Sequence, residues 1–171
     1  MEGDRRRCIA DGDVYRLAGM IGVCKVLQGN IRSGIYFLEE AILRQQREGY
    51  RDAADWYRFF LCEVYLQIIA GNEKPSLLTL LKNLPIVLKV MATGPARIRV
   101  LIMSHLQDNQ HFDREGHHAG HAQMILGLLY KAKKKRALAV QHLIEAKRIL
   151  LQFGQTPILA RVEGALAELG Q

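Results

Sequence analysis

The stretch LGLLYKAKKKRALAVQHLIEA, from Leu126 to Ala146, decides the fold because the chain carries a second version of it, IGVCKVLQGNIRSGIYFLEEA, from Ile21 to Ala41. A shift of 105 positions aligns the two copies and pairs the following residues: Gly22 with Gly127, Gly34 with Ala139, Leu38 with Leu143, Glu40 with Glu145, Ala41 with Ala146, and Gly49 with Gly154. Self-similarity at one fixed offset is typical of repeat architectures. We therefore predict two copies of one helical hairpin.

Each copy has the pattern of two helices joined by a short turn. The first helices are predicted over 14–27 and 122–131, and the turns that end them are polar or contain glycine. The second helices are predicted from about 32 to 48 and from about 136 to 153, because apolar residues recur there at spacings of three and four. We expect hairpins at 14–48 and 121–153 that superpose on one another.

The remaining sequence also favours helices joined by short connections. Further helices are predicted over 51–70, from Pro75 to a kink or break at Pro85, and from Pro95 to about 106. A polar loop follows at 107–116, and another helix begins near 117. The segment 155–171 carries a last amphipathic helix suited to capping a stack. The expected fold is all-α, with about eight helices in a single domain over 1–171 and a flexible segment at 1–13.

Composition limits the class of protein. Of the 171 residues, 49% are hydrophobic and only 4 are proline, which suits a helical core. The net charge of +7 would raise association rates with acidic partners. The three cysteines form no Cys-x-x-Cys pair, and no apolar run approaches the ~18 residues that span a bilayer. We therefore expect a soluble, cytoplasmic protein without disulfides and without a membrane partner.

The spacing of small residues resembles the tetratricopeptide repeat. That family places a small residue in the first helix, another twelve positions later, and an alanine seven beyond that, so that two helix axes can approach closely. Gly22, Gly34 and Ala41 fit this spacing, as do Gly127, Ala139 and Ala146, with Tyr130 at an aromatic position of the motif. The tryptophan and the helix-ending proline of the family are missing. The resemblance implies a right-handed stack of antiparallel hairpins with divergent repeats.

The segment from Gly116 to Leu169, together with Glu39-Glu40-Ala41-Ile42 and Glu63-Val64-Tyr65-Leu66, resembles the C-terminal region of bacterial class III adenylate-cyclase-like multidomain proteins. In those proteins a tetratricopeptide-like array follows the catalytic domain. The resemblance implies a regulatory, protein-binding fragment of a signalling protein. Its partner would be a protein or peptide, which includes other domains of the longer parent chain. Homo-oligomerisation is also possible.

Motifs of catalysis are missing from the sequence. The glycines of Gly29 to Gly34 are not followed by the lysine and hydroxyl residue of a phosphate-binding loop, and no nucleophile elbow, zinc-protease pair or dinucleotide fingerprint occurs. We expect no enzyme activity and no cofactor. The basic run from Lys131 to Arg136 has no interleaved aromatic residues, so nucleic acid is not the expected partner either.

The predicted docking surface is the inner face of the first helix of each hairpin. Aligning the repeats assigns the following residues to it: Arg16, Val23, Trp56, Phe59, Glu63, His121, Met124 and Lys131. Trp56 and Phe59 could equally be core residues, because aromatic side chains at helical spacing bury readily.

A histidine cluster gives a second hypothesis, a small-ligand or metal-responsive sensor domain that uses the region from His111 to His121. It contains the following residues: His111, Asp113, Glu115, His117, His118 and His121. His117 and His121 are four apart on a predicted helix and could bind zinc or nickel with a third ligand from the loop. The alternative is that these are ordinary polar residues at a helix start.

Overall fold

The computed structural model describes residues 17–71, 77–108, 117–153 and 157–171, and every regular element in these ranges is helical. The described ranges contain seven helices: α1 (17–27), α2 (Ile31–Arg47), α3 (Arg51–Ala70), α4 (Leu77–Asp108), α5 (His117–Ala132), α6 (Arg136–Leu151) and α7 (Pro157–Glu168). The predicted all-α class is confirmed for the described residues, and their helix count is close to the predicted eight. The predictions made for 1–13, Arg16, His111 and Gly154 lie outside these ranges.

Helix α4 differs from the prediction, which placed two helices in its range. Residues 77–108 form one helix that continues through both Pro85 and Pro95. A proline inside a helix removes a hydrogen bond and costs about 3 kcal/mol. Apolar burial offsets this cost, because Val90, Ile98 and Ile102 recur at helical spacing and are all buried.

The chain divides into two compact units. The first comprises Met1–Val64 and Glu73–Lys89, and the second comprises Tyr65–Asn72 and Val90–Gln171. One copy of the sequence repeat lies in each unit. A single domain over 1–171 stays a prediction.

Close packing of α1 on α2 characterises the first unit. A Cβ atom added to Gly22 would lie 3.0 Å from Leu38 Cγ and 3.1 Å from the carbonyl oxygen of Gly34, so glycine is what permits this approach. Leu38 and Ala41 are completely buried behind it. The small residues singled out by the repeat spacing therefore lie at the contact between the two helices.

The second unit repeats this arrangement in α5 and α6. A Cβ atom added to Gly127 would lie 2.6 Å from Leu143 Cγ, and both Leu143 and Ala146 are completely buried. Helix α7 packs on both α5 and α6. Its C-terminal end is held by polar contacts, because Arg136 donates to the carbonyl oxygen of Leu169 at 2.5 Å and Lys131 pairs with Glu168 at 2.5 Å.

The turns between the paired helices have the same geometry in both copies. Gly29 and Lys134 occupy equivalent positions and are both left-handed, with φ of 75° and 57°. The same backbone hydrogen bonds, all 2.8–3.0 Å long, form in each turn. Written from the residue whose N–H donates to the residue whose carbonyl oxygen accepts, they are 28 to 24, 29 to 26, 30 to 25 and 34 to 30 in the first turn, and 133 to 129, 134 to 131, 135 to 130 and 139 to 135 in the second. The internal repeat predicted from the sequence is thus also a repeat of local backbone structure.

Lys134 should be a strained position, because a left-handed conformation is unfavourable for any residue with a Cβ atom. We expect Lys134→Gly to raise the free energy of unfolding by about 1 kcal/mol in urea denaturation. Gly49 is left-handed at φ 82°, and no atom lies within 4 Å of an added Cβ. Gly49→Ala should therefore lower the free energy of unfolding by about 1 kcal/mol, because only the backbone conformation opposes the substitution. A destabilising Lys134→Gly would show that this turn does not have the left-handed geometry.

Gln45 is a polar residue in the core of the first unit. It is completely buried on α2, and neither of its amide atoms has a hydrogen-bond partner in the described part of the chain. The equivalent position in the second copy is the fully buried Leu150. A buried amide without partners carries the cost of desolvation with no compensating bond.

Replacing Gln45 by leucine should therefore stabilise the protein by about 1–3 kcal/mol, measured as a shift in the urea midpoint at constant slope. The matched control is the neighbouring Gln46, which is exposed on the same helix. Gln46→Leu should change stability by less than about 0.5 kcal/mol. Equal effects at the two positions would mean that Gln45 is solvated or paired.

Candidate functional site

Among the predicted docking residues of the first unit that the structure describes, Trp56 is the most exposed. Its side chain is 65% exposed, whereas the neighbouring Asp55 and Arg58 on α3 are buried. Val23 on α1 and Glu63 on α3 are half-buried. Trp56 is also the only tryptophan of the chain. A large aromatic side chain in this setting offers apolar area and one hydrogen-bond donor to a partner.

Phe59 has a different environment. It is only 4% exposed, so the prediction that it docks a partner is not supported by its position, and the alternative of a core residue applies. The repeat alignment assigned Trp56 and Phe59 to one exposed face. The two residues are three apart on α3, and of the two only Phe59 is buried.

A buried ion pair lies within this part of α3. Arg58 Nη1 donates to Asp55 Oδ1 at 2.5 Å, and both residues are less than 5% exposed. The pair joins positions three apart on the helix, so it holds one turn of α3 in a fixed geometry. Sequence reasoning missed this pair because two charged residues on a helix usually face solvent.

In the second unit, the predicted docking residues are mostly engaged within the unit itself. Met124 is 1% exposed, so its predicted role as a contact residue is not supported by its position. Lys131 is half-buried and forms the ion pair with Glu168 on α7. His121 is half-buried on α5. Of these residues, Lys131 is thus tied to α7 and Met124 is not accessible.

Two histidines of the second unit lie next to each other. The rings of His105 on α4 and His118 on α5 are 6.1 Å apart between centroids, and His105 is buried. The sequence drew attention to His118 but not to His105, because the pair is brought together by two helices whose packing has no local signal. His111, Asp113 and Glu115 lie outside the described residues, as does the side chain of His117.

A further pair of side chains distinguishes the two repeat copies. In the second copy, His142 stacks on Tyr130 at 5.3 Å between ring centroids and shares a 2.7 Å hydrogen bond with Gln123. Burial lowers the pKa of His142, which favours its neutral form. The equivalent pair in the first copy is Lys25 over Phe37, with the ammonium 5.6 Å from the ring centroid. Both are aromatic contacts between paired helices, and both have a structural explanation.

The two described cysteine thiols differ in accessibility, because Cys24 is exposed and Cys62 is buried. Burial raises the pKa of the Cys62 thiol, so the thiolate that nucleophilic chemistry needs is disfavoured at this residue.

No significant match to this chain was found among protein-family models, curated proteins or solved structures. Across the described ranges, none of the helices combines the length and apolar character needed to cross a membrane.

Proposed function

We propose that this protein is a non-catalytic protein-interaction module built as a right-handed, tetratricopeptide-like stack of helix hairpins. The support is the equivalence of the two repeat copies, which share the glycine-to-leucine contact and the left-handed turn. Repeat stacks of this kind expose a continuous face on which partners bind. We further propose a regulatory role in the cytoplasm, as the C-terminal part of a signalling protein such as an adenylate-cyclase-like protein.

The observation that carries the binding role is the exposure of Trp56. Tryptophan is enriched among the residues that supply most of the energy in protein interfaces. Exposed indole surface on a helix with a fixed buried side is a rigid anchor, because few rotamers are lost when a partner covers it. Val23 and Glu63 of the same unit are partly accessible and stay in the proposed docking set.

Site-specific photocrosslinking in the cell tests this role. A benzoylphenylalanine residue placed at position 56 should give a discrete crosslinked species with a protein partner, which includes other domains of the parent chain. The control is the same residue at position 134, which lies on an exposed turn. The proposal is wrong if position 56 gives no crosslink, or if both positions give the same diffuse pattern.

The second candidate function is a metal-responsive domain, and the adjacent His105 and His118 favour it. Neutral imidazoles are common ligands of zinc and nickel. Binding to the folded state should raise the melting temperature with metal concentration. We expect Zn²⁺ to raise the melting temperature of the unsubstituted protein and not that of His118→Ala. His142→Gln is the control and should retain the response. An unchanged response in His118→Ala would exclude this pair.

A further inference from the structure

A cleft in the first unit is lined by polar and charged residue types and has no role in the contacts described so far. It lies where the first turn of α2 meets α4 and has a volume of about 450 Å³. Its lining consists of Asn30, Arg32, Ser33, Tyr36, Lys82 and Asn83. The volume is within the usual range of binding pockets, and the lining residues offer side-chain donors of several kinds.

Asn83 fixes the base of the cleft. It is 3% exposed, and its amide nitrogen donates to the carbonyl oxygens of Gly29 and Thr79, both at 2.8 Å. Its Oδ1 accepts from the backbone N–H of Ile31 at 3.2 Å. Two of these three hydrogen bonds, those with Gly29 and Ile31, tie α4 to the turn before α2 and to the first residue of α2, because Thr79 lies on α4 itself. A cleft held by buried hydrogen bonds is preorganised, which lowers the entropic cost of binding.

Positive charge dominates the cleft. Arg32 and Lys82 are both exposed, and none of the lining residues is acidic. Lys82 Nζ donates to the neutral Asn30 Oδ1 at 2.5 Å, which orients the ammonium without cancelling its charge. Within the described part of the chain, neither cation forms an ion pair. Two such cations beside the Ser33 hydroxyl suit an anionic group better than any neutral one.

The second repeat copy does not carry the side chains that line this cleft. The equivalents of Asn30, Arg32, Ser33 and Tyr36 are, in order, Lys135, Ala137, Leu138 and Gln141. The turn geometry of the two copies is nevertheless the same, as its hydrogen bonds show. The cleft is therefore a property of these side chains and of α4, and does not follow from the repeat fold alone.

We propose that this cleft binds the carboxylates of an acidic peptide segment on the protein partner. This inference rests on the proposed interaction function and names the chemistry of its partner. The 60% exposed ring of Tyr36 adds apolar surface at the rim, which a peptide side chain can cover and a free inorganic anion cannot. The net charge of +7 would steer an acidic segment to the protein, while Arg32 and Lys82 fix its register.

Fluorescence anisotropy with a fluorescein-labelled peptide of alternating Glu and Leu tests the proposal on the full chain. We expect Arg32→Glu/Lys82→Glu to weaken binding about tenfold or more, because both attractive charges become repulsive. The control Lys133→Glu/Lys134→Glu makes the same change in net charge on an exposed turn and should weaken it less than about threefold. If the reversal variant does not fold by circular dichroism, Arg32→Gln/Lys82→Gln replaces it, with a smaller loss expected.

Equal losses in the cleft and control variants would overturn the proposal, because net charge would then explain binding. Unchanged affinity in the cleft variants, or no binding of the peptide by the unsubstituted protein, would also overturn the proposal. Displacement of the peptide by inorganic phosphate at about its own affinity would show an anion site without peptide specificity and would also contradict it. In each case crosslinking from position 56 decides the interaction function separately.

Discussion

Replacing Arg58 by methionine should lower the free energy of unfolding by about 3–5 kcal/mol. Arg58 and Asp55 are both buried, and their ion pair is 2.5 Å long. Methionine fills much of the same space but leaves the Asp55 carboxylate buried without this charged partner. Removing one partner of a buried ion pair is costly for that reason, whereas an exposed ion pair contributes little to stability. Urea denaturation of the purified variant measures the effect.

The exposed ion pair between Arg148 and Glu145 is the matched control. It also joins residues three apart on one helix, but its side chains are about half exposed. Arg148→Met should cost less than about 1 kcal/mol. Adding Asp55→Leu to Arg58→Met should recover much of the lost stability, because both charges are then gone. If Arg58→Met costs as little stability as Arg148→Met, the Arg58–Asp55 pair is solvated.

Phe59→Ala should also cost about 3–5 kcal/mol, since it removes a buried ring and leaves a cavity in the first unit. The matched control is Trp56→Ala, one helical turn away and largely exposed. Truncating an exposed side chain should change stability by less than about 0.5 kcal/mol. Thermal and urea denaturation of both variants would measure the difference. The opposite order would mean that Trp56 belongs to the core and Phe59 to the surface.

The hairpin repeat could be predicted from the sequence because it depends on short-range spacing. Gly22 and Leu38 must lie in neighbouring helices if the turn between them is short, and the same holds for Gly127 and Leu143. Even the exchange of Gly29 for a lysine did not hide the second turn, because the surrounding apolar spacing was kept. Local spacing thus carries most of the information about these hairpins.

Features that depend on packing between distant helices could not be predicted. The sequence predicts a kink or break at Pro85 and the start of a new helix at Pro95, yet α4 is continuous through both and carries buried apolar residues. Trp56 and Phe59 are both large and aromatic, so composition alone does not tell which of them is buried. The approach of His105 to His118 and the cleft formed by Lys82 and Arg32 also require α4 to meet other helices. The sequence contains no local signal for such contacts.

The affinity of Trp56→Ala for the partner captured by crosslinking tests the central claim most directly, with folded fraction measured in the same samples. The account predicts a loss of about 2 kcal/mol in binding, which is roughly thirtyfold in affinity, with an unchanged melting temperature. Leu151→Ala serves as the control, because it removes a comparably exposed apolar side chain elsewhere. Unchanged affinity of folded Trp56→Ala, or a lowered melting temperature with affinity retained, would contradict the claim that Trp56 is a docking residue.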